Sequence, residues 1–400
     1  MTHSRPVWDR GDPIDAAMLA FTVGDDWRMD QRLVEHDLAG SLAHVDGLLR
    51  AGLVSSADHA AIRAGLCALR DEHRAGAWDV EACDEDVHSA VERRLIAKIG
   101  DAGKRLHTAR SRNEQVAVDV LLWLRAANAE ARALVGEVAG ALHGLAERCG
   151  ALPLPGYTHL RRAMPSSVGE WARAHARAFE FDAQEFVHAA GRLAECPLGS
   201  GAGYGVPVAL ERAFVARELG FERPAEPVTF VQHTRGRAEL AYVSALEQAA
   251  LDVEKLAADL WLFSTSEFGF VKLPTAFTTG SSLMPQKRNP DVIELLRAHA
   301  RQVTSDRAAL LDVVRGLPSG YHRDFQLLKP PLFRAHDRAL GMLVLVPSLV
   351  EALAFDEAAL RAADADGSLR ATERALNRVL AGEAFRDAYR AESEASSPRS

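Results

Sequence analysis

Apolar side chains recur at steps of three and four along most of this chain. Between Arg237 and Phe263 the positions Leu240, Val243, Leu246, Ala250, Val253, Leu256, Leu260 and Phe263 keep that spacing, which puts them on one broad face of a helix. Similar runs occupy Asn113 to Arg148, Ser167 to Leu193 and Pro290 to Val314. Each is longer than the globular mean of about 11–12 residues. Strictly alternating β-branched runs are scarce, and the abundant alanine, leucine, arginine and glutamate favour helix. The pattern predicts an all-α protein built on a bundle of long helices. Their apolar stripes are wide enough to need burial by other subunits as well.

Turn-forming residues accumulate at a few places and set the boundaries. Asp79 to Asp86 is an acidic turn before a helix that starts near Val87. Leu152 to Tyr157, Cys196 to Pro207 and Thr275 to Asn289 are loops rich in glycine, proline or polar residues. Gly316 to Tyr321 closes another helix. The stretch Glu392 to Ser400 is rich in serine and glutamate and reads as a frayed tail.

Composition narrows the classes. A chain of 400 residues is long for one small core, so two or three domains are expected. With 48% hydrophobic and 26% charged residues it is an ordinary globular mixture. Lys plus Arg total 47 against 55 for Asp plus Glu, a net charge of −8. That balance lacks the signature of a nucleic-acid or anionic-membrane surface. Cys67, Cys83, Cys149 and Cys196 are scattered, as expected of thiols in a reducing compartment. The polar N-terminus is not a signal peptide, and apolar stretches such as Met342 to Val346 are too short to span a bilayer. A cytoplasmic protein is expected.

Two constellations suggest chemistry and fail their own tests. Gly199-Ser-Gly-Ala-Gly-Tyr-Gly205 does not complete a dinucleotide fingerprint, and no strand precedes it. A flexible loop touching a ligand or a neighbouring subunit is the better reading. The 15 histidines include His107, His159, His233 and His322, each isolated in sequence, and none forms a metal-binding pair. No metal and no cofactor are therefore expected. Three polar segments stand apart from the apolar helices: Leu106 to Gln115, Gly156 to Leu160 and Thr279 to Pro290. Thr108, Ser111 and Asn113 lie just before a long helix, whose N-terminal amides favour a carboxylate. Together the segments point to a carboxylate-binding acid–base site for a small molecule.

The segment Gly280-Ser-Ser-Leu-Met-Pro-Gln-Lys-Arg-Asn-Pro-Asp291, followed by Glu294, resembles the signature of the fumarase/aspartase superfamily. Within it the chain is most similar to the argininosuccinate lyase family. Phe21 with Asp37 to His44, Glu85 to His88, His107 to Gln115, Pro155 to Leu160, Pro197 to Gly201, and Gly316 to Ser319 with Tyr321 continue the likeness. Ala371 to Glu373 and Phe385 to Ala388 extend it into the last segment, so it runs collinearly from about residue 8 to about residue 390. The resemblance implies three domains: an N-terminal helical domain over 1–107, a central bundle with the catalytic loops over 108–351, and a shortened C-terminal domain over 352–400. It also implies a homotetramer whose active sites draw on three chains.

The implied reaction is β-elimination of fumarate from argininosuccinate, leaving arginine. The proton removed is barely acidic, so donors and cations must already face the carboxylate that takes up the charge. By resemblance Ser281 is the base, His159 relays or donates the proton to the departing nitrogen, and Glu294 orients it. Lys287 and Asn289 stabilise the carboxylate, which Thr108, Ser111, Arg112, Asn113 and Thr158 help to hold. Tyr321, Gln326 and Lys329 resemble the residues that hold the amino-acid end.

The chain departs from the family pattern at Val228 to Gln232, at Gly236-Arg237, at Arg161 to Met164, at His322 and at Leu327-Leu328. Loss of an acid at Val231 and the added cations Arg161 and Arg237 predict a pocket shifted towards positive charge. Another N-succinyl compound therefore stays open as substrate, as does an inactive structural paralogue. Intact Ser281, Lys287, Asn289 and His159 speak against the paralogue.

Overall fold

In the computed structural model, which describes residues 15–396, the chain is dominated by helix. Long helices fall where the apolar spacing puts them, at Arg112–Cys149, Val168–Ala190, Arg237–Phe263 and Asp291–Val314, and a further one that the spacing did not single out spans Lys329–Ala352. The second ends a few residues early because Gly191–Leu193 tightens into a 3-10 turn. The all-α expectation needs one amendment. Among the described residues four two-stranded ladders accompany the helices, each strand two to four residues long. Two of them carry candidate catalytic residues.

The chain divides into two compact units. The first comprises residues up to Glu130, Glu185–Leu246 and Val303–Asp337, and the second Ala131–Gln184, Glu247–Gln302 and the chain from Arg338 on. In the first unit, Val34–Arg50 buries Val34, Leu38, Val45 and Leu48 beside the helices Ser56–Arg74 and Val87–Ile99. Gly65 permits this packing, since a Cβ there would sit 2.6 Å from Leu95 Cδ1. Ser55 caps the Ser56 helix by accepting from the Asp58 amide at 3.1 Å, and Asp86 caps the Val87 helix by accepting from the Ser89 amide at 2.8 Å.

The second unit is organised around aromatic packing. The Trp171 indole donates to Asp259 at 2.8 Å, and Phe263, Phe268 and Phe270 stack against one another. Its last helices, Ala371–Leu380 and Phe385–Ser396, are joined by an Arg374–Glu392 bond of 2.8 Å. The frayed tail is thus corrected in part: Glu392 lies on a helix with an ion partner, and residues 397–400 lie outside the described residues. Among the described residues no helix is long and apolar enough to cross a membrane.

Candidate active site

The first unit holds a cavity of about 260 Å³ whose walls are mostly ionisable. It is assembled from five places in the chain. The Asp26 turn contributes Asp26 and Asp30, and the start of the Val87 helix brings Glu85, Asp86 and His88. The start of the Arg112 helix adds Arg112 and Asn113, and the segment from Tyr321 to Lys329 forms the remaining wall with Arg235.

Local sequence explains the Arg112 corner. Ser111 caps the Arg112 helix: its Oγ accepts from the Asn113 amide at 3.2 Å, and its own amide donates to Glu114 Oε1 at 3.1 Å. Glu114 Oε2 accepts in turn from the Gly201 amide at 2.8 Å. The glycine-rich loop is therefore docked on its own chain rather than loose, with Ser200 fully buried. Gly199, Gly201, Gly203 and Gly205 all take positive φ there, which their lack of a Cβ allows. Thr108 stands nearby, its carbonyl accepting from His44 Nε2 at 3.0 Å.

Arg112 bonds Asp86 at 3.2 Å and Ser89 at 2.6 Å. Burial alone would raise Asp86, but His88 and Arg112 outweigh it and hold the carboxyl below its ordinary value. Behind them lies a fully enclosed cluster. His88 Nδ1 bonds Asp37 Oδ1 at 2.8 Å and lies 3.6 Å from Asp119. Burial pulls His88 down, yet the Asp37 bond and the surrounding carboxylates prevail and keep the imidazole above its usual value. Asp119, with neither oxygen hydrogen-bonded, is driven well up by burial and by the charges of Asp37 and Asp30. The ligating atoms of Asp37, His88 and Asp119 lie within 4.8 Å of one another, so this trio is the cavity's nearest approach to a cation site. His88 Nδ1 thus stands between two buried acids.

Lys329 is buried, with Nζ 2.6 Å from Asp26 and 2.5 Å from Asp30. Gln326 donates to the carbonyls of Thr22 and Val23, both at 3.1 Å, and accepts from Arg323 at 3.1 Å. Arg235 stacks 5.3 Å over Phe325, and its buried Nη1 has no hydrogen-bond partner. Of the three positions expected to shift the charge, Arg161 pairs with Thr158 in the second unit, and the other two lie away from this cavity. Val231 is packed in a small apolar cluster with Ala117 and Ala225, and Arg237 lines a different cavity of about 250 Å³.

The remaining candidates belong to the second unit. Gly156–Thr158 and Arg161–Met164 pair antiparallel, with Thr158 opposite Arg161. The two residues between, His159 and Leu160, take φ of +52° and +57°. This is the geometry of a two-residue hairpin turn, which favours Asn and Gly. Holding a histidine and a leucine there stores strain, a feature that gathers at functional sites. His159 is fully presented at the tip, neither capping a helix nor buried.

Ser281 sits in the second hairpin. Thr279–Gly280 pairs with Arg288–Asn289, and the Asn289 amide donates to the Gly280 carbonyl at 3.3 Å. The Thr279 hydroxyl anchors the ladder to Asp291 at the start of the Asp291 helix. Ser281 Oγ accepts from the amides of Leu283 at 3.3 Å and Met284 at 3.1 Å. Lys287 and, on the first turn of the helix, Glu294 are exposed. Thr158, His159, Ser281, Lys287, Asn289 and Glu294 thus belong to one unit, and Thr108, Ser111, Arg112, Asn113, Tyr321, Gln326 and Lys329 to the other.

Sequence reasoning missed Asp26, Asp30 and Arg235. A signal for the acids was present: four residues apart, they share one side of a turn. Their partner Lys329 is some 300 positions away, where no spacing rule reaches.

Known proteins share both sequence and fold with this chain. A family model described as Lyase matches residues 9–305. An argininosuccinate lyase of Sorangium cellulosum is 47% identical over 385 residues, covering 96% of this chain and 89% of that protein. One from Xanthomonas oryzae pv. oryzae is 41% identical over 391 residues, covering 98% and 90%. Among solved structures, an EDDS lyase variant with bound fumarate matches with a TM-score of 0.78 at 20% identity, over 95% of this chain and 76% of that one. A class II fumarase from Schistosoma mansoni matches with a TM-score of 0.78 at 15% identity, over 90% and 86%. At those identities the structural matches speak for the fold.

Proposed function

The chain belongs to the argininosuccinate lyase family, and from that membership we propose that it splits argininosuccinate into arginine and fumarate. The observation that carries the reading is Ser281 Oγ accepting two backbone amides. Serine is a poor base because its alkoxide is unstable in water. Hydrogen bonds donated to the charged form favour that form, and two preset amides supply them at no reorganisation cost. Ser281 takes the proton from the carbon next to the succinyl carboxylate. The electron pair moves into that carboxylate, held by Lys287, Asn289, Thr158 and the Arg112 corner. It then returns to form the double bond as the carbon–nitrogen bond breaks. The nitrogen leaves with a proton supplied through His159, oriented by Glu294.

The leaving amine occupies the cavity beside Tyr321. The two sets of residues come together in a homotetramer, each active site drawing on three subunits, and the wide apolar stripes of the long helices support that assembly. In this reading 1–107, 108–351 and 352–400 are the three domains, the enzyme is cytoplasmic, and neither metal nor cofactor takes part. The ion pairs of Lys329 favour one further reading, in which an N-succinyl amine other than argininosuccinate is the better substrate. The decisive experiment follows fumarate absorbance with argininosuccinate and with a panel of N-succinyl amines. Fumarate from argininosuccinate is expected, and none from any of them would overturn the assignment.

A further inference from the structure

We propose that Asp26 sets the specificity of the cavity by acting as its receptor for a cationic group, an ammonium above all, on the molecule bound there. The inference rests on the reading that this cavity holds the leaving amine.

The argument is one of charge and of donors already in use. Asp30 and Lys329 by themselves form a neutral, complete pair. Asp30 Oδ1 takes the lysine, and its Oδ2 accepts from the Val87 amide at 3.0 Å, which ties the Val87 helix to the Asp30 turn. Asp26, at 2.6 Å from the same Nζ, is a second carboxylate on one cation. The cluster therefore carries one negative charge in excess. Asp30 is closed to solvent, its side chain 1% exposed, whereas Asp26 at 14% still reaches the cavity.

Two donors next to Asp26 that could receive a carboxylate are engaged. Lys329 faces two acids, and both donor bonds of the Gln326 amide end on backbone carbonyls. A carboxylate brought beside Asp26 would meet that charge with Lys329 already shared between two acids, while the other cations of this wall stand elsewhere on it, Arg235 over Phe325 and Arg323 on Gln326. An ammonium would complete the count. The carboxyl itself registers the deficit: burial, opposed by Lys329 and reinforced by Asp30 and Asp86, pushes Asp26 up to about 6. A buried acid in that condition gains from a second cation.

Three probes that share a guanidinium and a similar carbon chain separate the contributions: arginine, agmatine, which lacks the carboxylate, and 5-guanidinopentanoate, which lacks the ammonium. Calorimetric titration of the intact protein reads their affinities without turnover. Agmatine is expected to bind at least about tenfold more tightly than 5-guanidinopentanoate, the scale of one hydrogen bond to a charged group. Asp26→Asn keeps the shape and removes the charge, so it should collapse that ratio towards unity and improve 5-guanidinopentanoate. The wild-type ratio decides even if the variant folds poorly, and Asp26→Ser is a second route to the same loss. Equal or tighter binding of 5-guanidinopentanoate by the wild-type protein would overturn the proposal, as would a ratio unchanged in folded Asp26→Asn. Fumarate release measured alongside keeps the two readings apart. The ammonium preference without any lyase activity would remove the reaction and leave Asp26 in its role. Lyase activity without the preference would do the reverse.

Discussion

The two units treat their polar side chains in opposite ways. The first buries Asp30, Asp37, His88, Asp119 and Lys329 and surrounds most of them with partners. The second leaves His159, Lys287 and Glu294 exposed and Ser281 half-buried, on hairpins of two to four residues per strand and on one helix turn. A charge out of water must be paired to be tolerated, and the pairing fixes its geometry. An exposed loop has no such obligation and is the part of a fold free to close on a ligand. The first unit is therefore suited to selecting and holding a molecule. The second is suited to the step that needs a group to arrive and leave.

Substitutions that strike one side of this contrast should behave unlike those that strike the other. The largest effect is expected for Ser281→Ala, which should cut fumarate production by about 10²–10⁴-fold, the range for a lost acid–base group. Arginine affinity should be unchanged, because the serine acts only in the chemical step. A loss of only a few-fold would show that Ser281 is not the base. Next comes a matched pair of lysine removals followed by urea unfolding. Lys329→Met strands two carboxylates in the interior and should cost about 3–5 kcal/mol. Lys287→Met, on an exposed loop, should stay within about 0.5 kcal/mol. Equal costs would erase the distinction between the units. The smallest effect is at the hairpin tip. Leu160→Asn places a residue tolerant of positive φ where leucine is strained, and should raise thermal stability by up to about 1 kcal/mol. If turnover falls at the same time, the strain belongs to the function.

Helix spacing was legible because a helix is a local object. The stripe Leu240 to Phe263 appears in sequence at the period in which it is buried, and the helix found there runs from Arg237 to Phe263. The signature around Ser281 was legible for a similar reason: the loop, its amides and its partner strand all lie within about a dozen residues. The short ladders were not, since two-residue strands carry no alternation to detect. The histidine at the hairpin tip was visible as a residue but not as a strained one, because positive φ at His159 follows from the register of the strands on either side.

What the sequence by itself determined is the set of elements and the chemistry each one carries, for these depend on neighbours a few positions apart. What only the tertiary structure decided is the charge of the cavity. From sequence the altered positions pointed to a gain of positive charge through Arg161, Arg237 and the lost acid at Val231. Folding sends Arg237 to another cavity and Val231 into apolar packing, and it brings Asp26 and Asp30 onto Lys329 from the far end of the chain. Electrostatic energy depends on distance in space and on the water excluded between charges. Neither quantity is written in the order of residues along the chain.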